Sequence, residues 1–276
     1  MKGSEFIVAN AGKSLAQWEA MAVSLASQDP AGGGIVPWPM VPVNVTSKDG
    51  KHTGRFFVAS DYFAVGTADD YVRLPFTPVS AQRVANSKGM LLPTSKMVED
   101  IWRAGYKLSP QPMVPNKGAN LAQYAEHSQL IDAQINTAQV TPTAVRSGHK
   151  KDVIVSNIWK PGRVVIFGWY RPDGTYIQPK SNIHGDYYVD YSHGIRLVGP
   201  NMEVDGQTML VEDVLESPEY ASLISSEGVI HRVRYPAGTG QEVISSARSP
   251  GGRLNYYKLG TSVLLALNVL GKRQAA

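Results

Sequence analysis

The stretch DVIVSNIWKPGRVVIFGWYRPDGTYIQ, residues 152–178, decides the fold class, because short β-branched and aromatic runs alternate in it with turn signals. Pro-Gly and Asp-Gly dipeptides fall between the runs, where tight hairpin turns favour them. We therefore predict an antiparallel meander that continues into one further strand. The predicted strands are Asp152–Trp159, Arg163–Tyr170, Thr175–Gln178 and Tyr187–Val198.

The helical patterns lie before this stretch. Ser14 precedes an apolar stripe with helical spacing, and Thr77-Pro78 and Thr94 are typical helix starts. A longer amphipathic pattern covers Ala119–Ala138. The sequence therefore predicts an α+β fold with a mostly antiparallel sheet and with helices concentrated in the N-terminal half.

The domain organisation is predicted to be simple. Residues 1–13 begin with Met-Lys-Gly-Ser-Glu-Phe, which is typical of a cloning tag, and we expect a disordered start there. Residues 14–276 are predicted to form a single α+β domain. A Pro-rich connector at 109–118 marks where two lobes of that domain could meet.

Composition excludes several classes of chemistry. The chain has 276 residues and no cysteine, so disulfides, thiolate metal sites and cysteine nucleophiles are excluded. A formal net charge of +4 over this length does not indicate a nucleic-acid partner. The longest apolar run, Ser262–Leu270, is too short for a membrane span, which takes about 20 residues. Ala11-Gly12-Lys13-Ser14 resembles the end of a phosphate-binding loop, but Ile7 replaces its first glycine, so no nucleotide cofactor is expected.

Polar groups able to do chemistry are concentrated between His149 and Arg196. Alternation along a strand at Tyr187–Val198 would place Asp190, Ser192 and Arg196 on one polar face, with open space at Gly194. Arg196 could there bind a substrate carboxylate or pair with Asp190. The candidate catalytic residues are His149, Asp152, His184, Asp190, Ser192 and Arg196.

Three functions fit these residues. In the first, His149 or His193 joins His184 and a carboxylate, for which Asp190 is the candidate, to hold Zn²⁺ or another divalent metal, which activates water for hydrolysis. In the second, Ser192 is a nucleophile served by a histidine and by Asp190 or Asp152. In the third, the protein binds a peptide or glycan without catalysis through the exposed members of a group of aromatic residues. That group is Trp159, Trp169, Tyr170, Tyr176, Tyr187, Tyr188 and Tyr191.

His193 and the two lysines after His149 have plainer interpretations. His193 falls on the apolar face of the predicted strand, where a buried histidine with one hydrogen bond is as good a prediction as a ligand. Lys150 and Lys151 are predicted to face solvent or to bind an anion, and a solvated pair is the first of these predictions.

Two resemblances bear on the same region. Ser181, His184 and Asp190 resemble the Ser, His and Asp signature of zinc peptidases of the D-Ala-D-Ala carboxypeptidase and lysostaphin type. That likeness covers about ten residues, its spacing is one residue short and the distal histidine motif has no clear match. Residues 60–230 resemble a family of uncharacterised bacterial proteins with a Tyr-Val-Asp-Tyr-Ser-His-Gly segment, here residues 188–194.

From these patterns we predict a secreted or surface hydrolase that acts on a polymeric substrate, such as cell-wall peptide or glycan. Metal-dependent hydrolysis is the first prediction, Ser192 chemistry the second and binding alone the third. We therefore expect a secreted or extracytoplasmic location. No signal peptide is visible, but the tag-like start could replace a native one. The sequence gives no indication of the oligomeric state.

Overall fold

A computed structural model of the protein describes residues 1–28, 34–114 and 120–237. Met1–Ala237 form one compact unit. The last part of the predicted domain, residues 238–276 with the apolar run Ser262–Leu270, lies outside the described residues, as do residues 115–119 of the predicted connector.

The described residues form the α+β fold that the sequence predicts. Five of the six helices precede residue 138, so the prediction of helices concentrated in the N-terminal half is confirmed. The helices are α1 (Gly3–Asn10), α2 (Leu15–Ser27), α3 (Pro78–Ser87), α4 (Ser95–Ala104), α5 (Leu121–Thr137) and α6 (Val211–Glu216). The strands are β1 (Gly34–Ile35), β2 (Met40–Thr46), β3 (Thr53–Ala59), β4 (Ala64–Gly66), β5 (Tyr71–Arg73), β6 (Tyr106–Lys107), β7 (Arg146–Ser147), β8 (Lys151–Val153), β9 (Ile166–Tyr170), β10 (Tyr176–Ser181), β11 (His193–Gly194), β12 (Val198–Val204) and β13 (Gln207–Leu210).

Helix starts follow the capping chemistry of the sequence. Ser14 and Gln17 form a capping box at α2, Pro78 is the first residue of α3, and the Thr94 hydroxyl accepts from the backbone N–H of Met97 in α4. The prediction of a disordered start is wrong, because residues 3–10 form α1 and bury Phe6 in the main apolar core.

Two four-stranded sheets dominate the described residues, in the orders β10-β9-β8-β11 and β13-β12-β3-β2. Their pairs are antiparallel except for β11 with β8, which run parallel and place His193 opposite Lys151. Beyond β11, the chain pairs with the segment after β3, since the N–H of Phe63 donates to the carbonyl of Ile195 at 2.9 Å. The N–H of Arg146 donates to the carbonyl of Ser60 at 2.8 Å. Three segments that are remote in sequence, near residues 60, 150 and 193, therefore meet inside the molecule.

The predicted long strand at Tyr187–Val198 is wrong. Only His193–Gly194 are a strand there, and the next strand begins at Val198. Asp190 is the physical reason: its Oδ1 accepts from the backbone N–H of Ser192 at 2.9 Å, and its carbonyl accepts from the N–H of His193 at 3.1 Å. These local bonds fold the chain into a turn and compete with strand pairing. The predicted alternation of faces through Asp190, Ser192 and Arg196 therefore does not exist.

Candidate active site

A buried group of charges, which we call the Asp61 cluster, consists of Asp61, Arg73, Arg146 and His149. Oδ2 of Asp61 accepts from Arg73 Nη2 at 2.7 Å and from Arg146 Nη1 at 3.0 Å. Oδ1 of Asp61 lies 3.1 Å from Nε2 of His149. Arg73 also donates to Asp132 at 2.8 Å, so its charge is shared between two carboxylates.

The Asp61 cluster keeps Asp61 ionised and His149 neutral. Burial alone would raise the pKa of Asp61, but the charge of Arg73 and the hydrogen bond from His149 outweigh it and hold that pKa well below its usual value. Burial lowers the pKa of His149 to about 4. His149, a predicted metal ligand and catalytic residue, is therefore fully buried and hydrogen-bonded to Asp61.

Tyr62 connects Asp152 with Arg196 beside this cluster. The Tyr62 hydroxyl donates to Oδ2 of Asp152 at 2.9 Å, and the guanidinium carbon of Arg196 lies 3.9 Å from the centroid of the Tyr62 ring. Arg196 donates to the backbone carbonyls of Ala59 and Arg146 at 2.9 and 2.6 Å. Arg196 thus holds two chain segments together.

The expectations of open space at Gly194 and of an Arg196–Asp190 ion pair are both wrong. A Cβ at Gly194 would lie 2.4 Å from a ring carbon of Tyr62, so that ring already fills the space. Arg196 is 1% exposed and donates to carbonyl groups rather than to Asp190. A substrate carboxylate has no room beside it.

Asp152, another predicted catalytic residue, is fully buried at the edge of a cavity of about 10 Å³ that Tyr62, Lys150 and Tyr170 help to line. Its Oδ1 has no hydrogen-bond partner within the described residues. Burial raises the pKa of Asp152 to about 7, even though the charge of Arg196 and the Tyr62 hydroxyl lower it.

Asp152→Asn is expected to stabilise the protein progressively as the pH rises. The protonated Asp152 carboxyl stabilises the fold relative to the ionised one, and this contribution is fully present below the unfolded pKa of 3.8 and is lost as the pH approaches about 7. Urea unfolding should therefore show the variant gaining roughly 3–4 kcal/mol on wild type between pH 4 and pH 8.

Asp173→Asn is the control for Asp152→Asn, and it should show the opposite sign. Asp173 is exposed and the hydrogen bonds from Thr175 lower its pKa, so its carboxylate contributes stability above the unfolded pKa that is lost as the pH falls. Equal pH dependence in wild type and Asp152→Asn would mean that Asp152 does not titrate in the folded protein near pH 7.

A second group, which we call the Asp190 cluster, consists of Lys151, Tyr188, Asp190, Ser192 and His193. Oδ2 of Asp190 accepts from Lys151 Nζ at 2.7 Å and from the Tyr188 hydroxyl at 2.8 Å. Oδ1 accepts from the N–H and from the hydroxyl of Ser192, at 2.9 and 2.6 Å. Burial alone would raise the pKa of Asp190, but His193, Lys151 and Ser192 together lower it far below its usual value.

His193 and His184 flank Tyr188. The His184 ring is stacked on the Tyr188 ring at 3.9 Å between centroids, and the His193 ring lies 5.5 Å from it on edge. His184 is partly exposed, whereas His193 is completely buried and neither of its ring nitrogens has a hydrogen-bond partner within the described residues. Burial lowers the pKa of both imidazoles, that of His193 to about 3, so both are neutral at pH 7.

The predicted metal ligands are only partly brought together. His184, Asp190 and His193 lie around Tyr188, whereas His149 contacts Asp61. Across residues 1–28, 34–114 and 120–237, no three His, Cys, Asp or Glu side chains are arranged to hold a metal ion. Asp190 already accepts four hydrogen bonds, which is its usual capacity, so it could bind a metal only by releasing one donor.

Lys150 and Lys151 are buried, which corrects the prediction that both face solvent. Lys150 Nζ donates to the carbonyl of Tyr191 at 2.8 Å and lies 3.3 Å from Nδ1 of His127. Burial and the charge of Arg73 lower the pKa of Lys150 to about 7. The sequence pattern places His127 beside the apolar stripe of α5, but nothing in it indicates the contact with Lys150.

Comparisons with protein-family models, with curated proteins and with solved structures found no match for this chain. The two resemblances noted in the sequence therefore stay predictions. Among the described residues, none of the helices has the length and apolar character needed to cross a membrane.

Proposed function

We propose that the protein is a secreted or surface hydrolase that acts on a polymeric cell-wall substrate, with its reaction centre at the Asp190 cluster. The observation that carries this proposal is His193, a completely buried imidazole whose two ring nitrogens have no partner among the described residues and which lies beside an ionised carboxylate. The location follows from the proposed substrate.

A purely structural role for His193 would lower the stability of the fold without any compensating contact. A buried polar group without a hydrogen bond destabilises a fold by about 1–3 kcal/mol, and the large majority of buried side-chain polar atoms have a partner. Such a cost is tolerated where the missing partner is a substrate, a water or an ion that belongs to function. A neutral imidazole next to the fixed Asp190–Lys151 pair is in the form that can accept a proton.

Two members of the Asp190 cluster, Asp190 and His193, and the neighbouring His184 can be given roles in hydrolysis. Asp190, fixed by four hydrogen bonds, orients the groups around it and carries the negative charge that favours a protonated neighbour. His193 can accept a proton from an attacking water. His184, partly exposed and stacked on Tyr188, lies at the mouth of the cluster, where it can orient the substrate.

A metal-dependent form remains the first version of this proposal. His184 and His193 would hold Zn²⁺ or another divalent ion, because both imidazoles are neutral at pH 7 and His193 has no competing partner. The ion would supply a Lewis acid. Asp190 would join the ligand set only by releasing Lys151 or Tyr188.

Two alternatives have weaker support. Ser192 as a nucleophile needs a histidine to take its proton, but its hydroxyl donates to Asp190 at 2.6 Å and the side chain is 2% exposed. A binding module without catalysis would use the exposed aromatic side chain of Tyr187, and it does not account for His193.

An assay with purified bacterial cell-wall polymer as the substrate distinguishes the metal-dependent, serine and binding-only proposals. The wild type should release amino groups if it cleaves peptide bonds and reducing ends if it cleaves glycosidic bonds. In the metal-dependent form, a chelator abolishes release and His184→Ala lowers the metal content of the purified protein. Ser192→Ala should keep most of the activity, as should the matched control Ser225→Ala at another buried turn serine.

The opposite results are equally informative. Activity that survives chelation and is lost in Ser192→Ala alone would establish the serine alternative. Activity that survives both treatments would leave the histidines and Asp190 as a metal-free acid–base set. A wild type that releases neither product would refute the hydrolase proposal and leave binding.

A further inference from the structure

We propose that Tyr187 is a stacking platform for one sugar ring, so that the glycan part of a cell-wall polymer is what the protein recognises. This inference rests on the proposed function, because it extends the mouth of the same site. The platform is defined by Tyr187 with its neighbours Gly185 and Asp186.

The Tyr187 ring is exposed yet fixed. Its side chain is 78% exposed, the highest value among the tyrosines with exposed side chains. A Cβ at Gly185 would lie 2.4 Å from one ring carbon and 3.0 Å from two others, so the ring rests directly on the Gly185 backbone. The absence of a side chain at Gly185 makes this contact possible, and the remaining ring surface faces solvent.

The loop beneath the ring is tied to the segment before β9 by backbone bonds on both sides of Gly185. The N–H of Val164 donates to the carbonyl of His184 at 3.2 Å, and the N–H of Asp186 donates to the carbonyl of Gly162 at 3.0 Å. Little conformational entropy is therefore lost when a ligand stacks on the ring, which is how rigid aromatic side chains gain affinity.

The chemistry around the ring favours a sugar. A sugar ring offers an apolar C–H face, which stacks on an aromatic side chain, and hydroxyl groups at its edge, which need acceptors. Asp186, the adjacent residue, is partly exposed and its carboxylate has no hydrogen-bond partner within the described residues, so it can accept from two hydroxyls. His184, two residues before Asp186, is stacked on Tyr188 at the mouth of the Asp190 cluster. A polymer held at Tyr187 would thus pass close to the proposed reaction centre.

The test is co-sedimentation of the whole protein with insoluble polymers: bacterial cell wall, the same wall after its peptides are removed, and a β-linked N-acetylglucosamine polymer. The wild type should bind all three. Tyr187→Ala should weaken binding by roughly 3- to 10-fold, the usual effect of one aromatic contact. Tyr187→Phe should bind like the wild type, because stacking needs the ring and not the hydroxyl, and Asp186→Asn should weaken binding. Tyr106→Ala, at a 45% exposed tyrosine on β6, is the matched control and should bind normally.

The outcomes distinguish this inference from the proposed function. Unchanged binding by Tyr187→Ala, or binding of the wild type only to walls that keep their peptides, would overturn the sugar platform and leave the hydrolase proposal standing. Glycan binding that depends on Tyr187, in a protein that releases no product from the wall, would support the platform and overturn the hydrolase.

Discussion

Asp61→Asn is expected to lower the melting temperature of the protein by roughly 10 °C. Asp61 is the common acceptor for Arg73, Arg146 and His149 in a region without access to water. Removing its charge leaves Arg146 without a carboxylate and Arg73 with Asp132 alone. Breaking a buried ion pair from one side costs about 3–5 kcal/mol, because the remaining charge stays buried.

Thermal unfolding of a double-mutant cycle measures this dependence. Arg73→Met should destabilise the wild type strongly and the Asp61→Asn variant much less, since the second change removes a charge that has already lost its main partner. Asp69→Asn, at an exposed aspartate, is the control and should leave the melting temperature unchanged. A shift below about 2 °C in Asp61→Asn would show that the cluster contributes little to stability.

Local chemistry made much of the fold predictable. Ser14, Thr77 and Thr94 begin helices because their side chains or the following proline satisfy the first turn, and this needs no knowledge of the rest of the chain. The hairpin from β12 to β13 likewise turns at Asp205-Gly206, where both residues have positive φ. Short-range signals of this kind are complete within a few residues.

The candidate site was predictable only in part, because long-range contacts decide it. The sequence pointed to His184, Asp190, Ser192 and His193, and these lie in or beside one cluster. It placed the last three on a strand, however, because a polar–apolar alternation and an Asp-x-Ser turn look alike until the Asp190 side chain is seen to bond to Ser192.

Asp61 shows the same limit more strongly. It is a single carboxylate 12 residues before Arg73 and 88 before His149, and no local pattern joins them. Its importance comes from the way in which the segments near residues 60, 146 and 193 pair with one another. The N-terminus was predicted wrongly for a related reason: four of the six residues typical of a tag, Gly3–Phe6, are helical because an apolar core accepts the Phe6 side chain.

His193→Leu is expected to separate stability from activity. If His193 carries proton transfer, the rate of cell-wall hydrolysis should fall on the order of 100-fold or more. The folded protein should at the same time be as stable as the wild type or more stable, because leucine has a comparable volume and brings no unpartnered nitrogens into the interior. The expected gain is roughly 1–3 kcal/mol, or a few degrees in the melting temperature.

The combination of both readouts is what makes this test decisive. A structural histidine would give the reverse, a drop in melting temperature with activity lost only in proportion to the unfolded fraction. His231→Leu removes an exposed imidazole elsewhere in the chain and should change neither quantity.

The pH–rate profile gives a further test of His193. Burial lowers the pKa of His193 to about 3, so its protonation should not contribute an acid limb near pH 6.5 to that profile. Such a limb, present in the wild type and absent in a His184 variant, would be assigned to His184 acting in its neutral form.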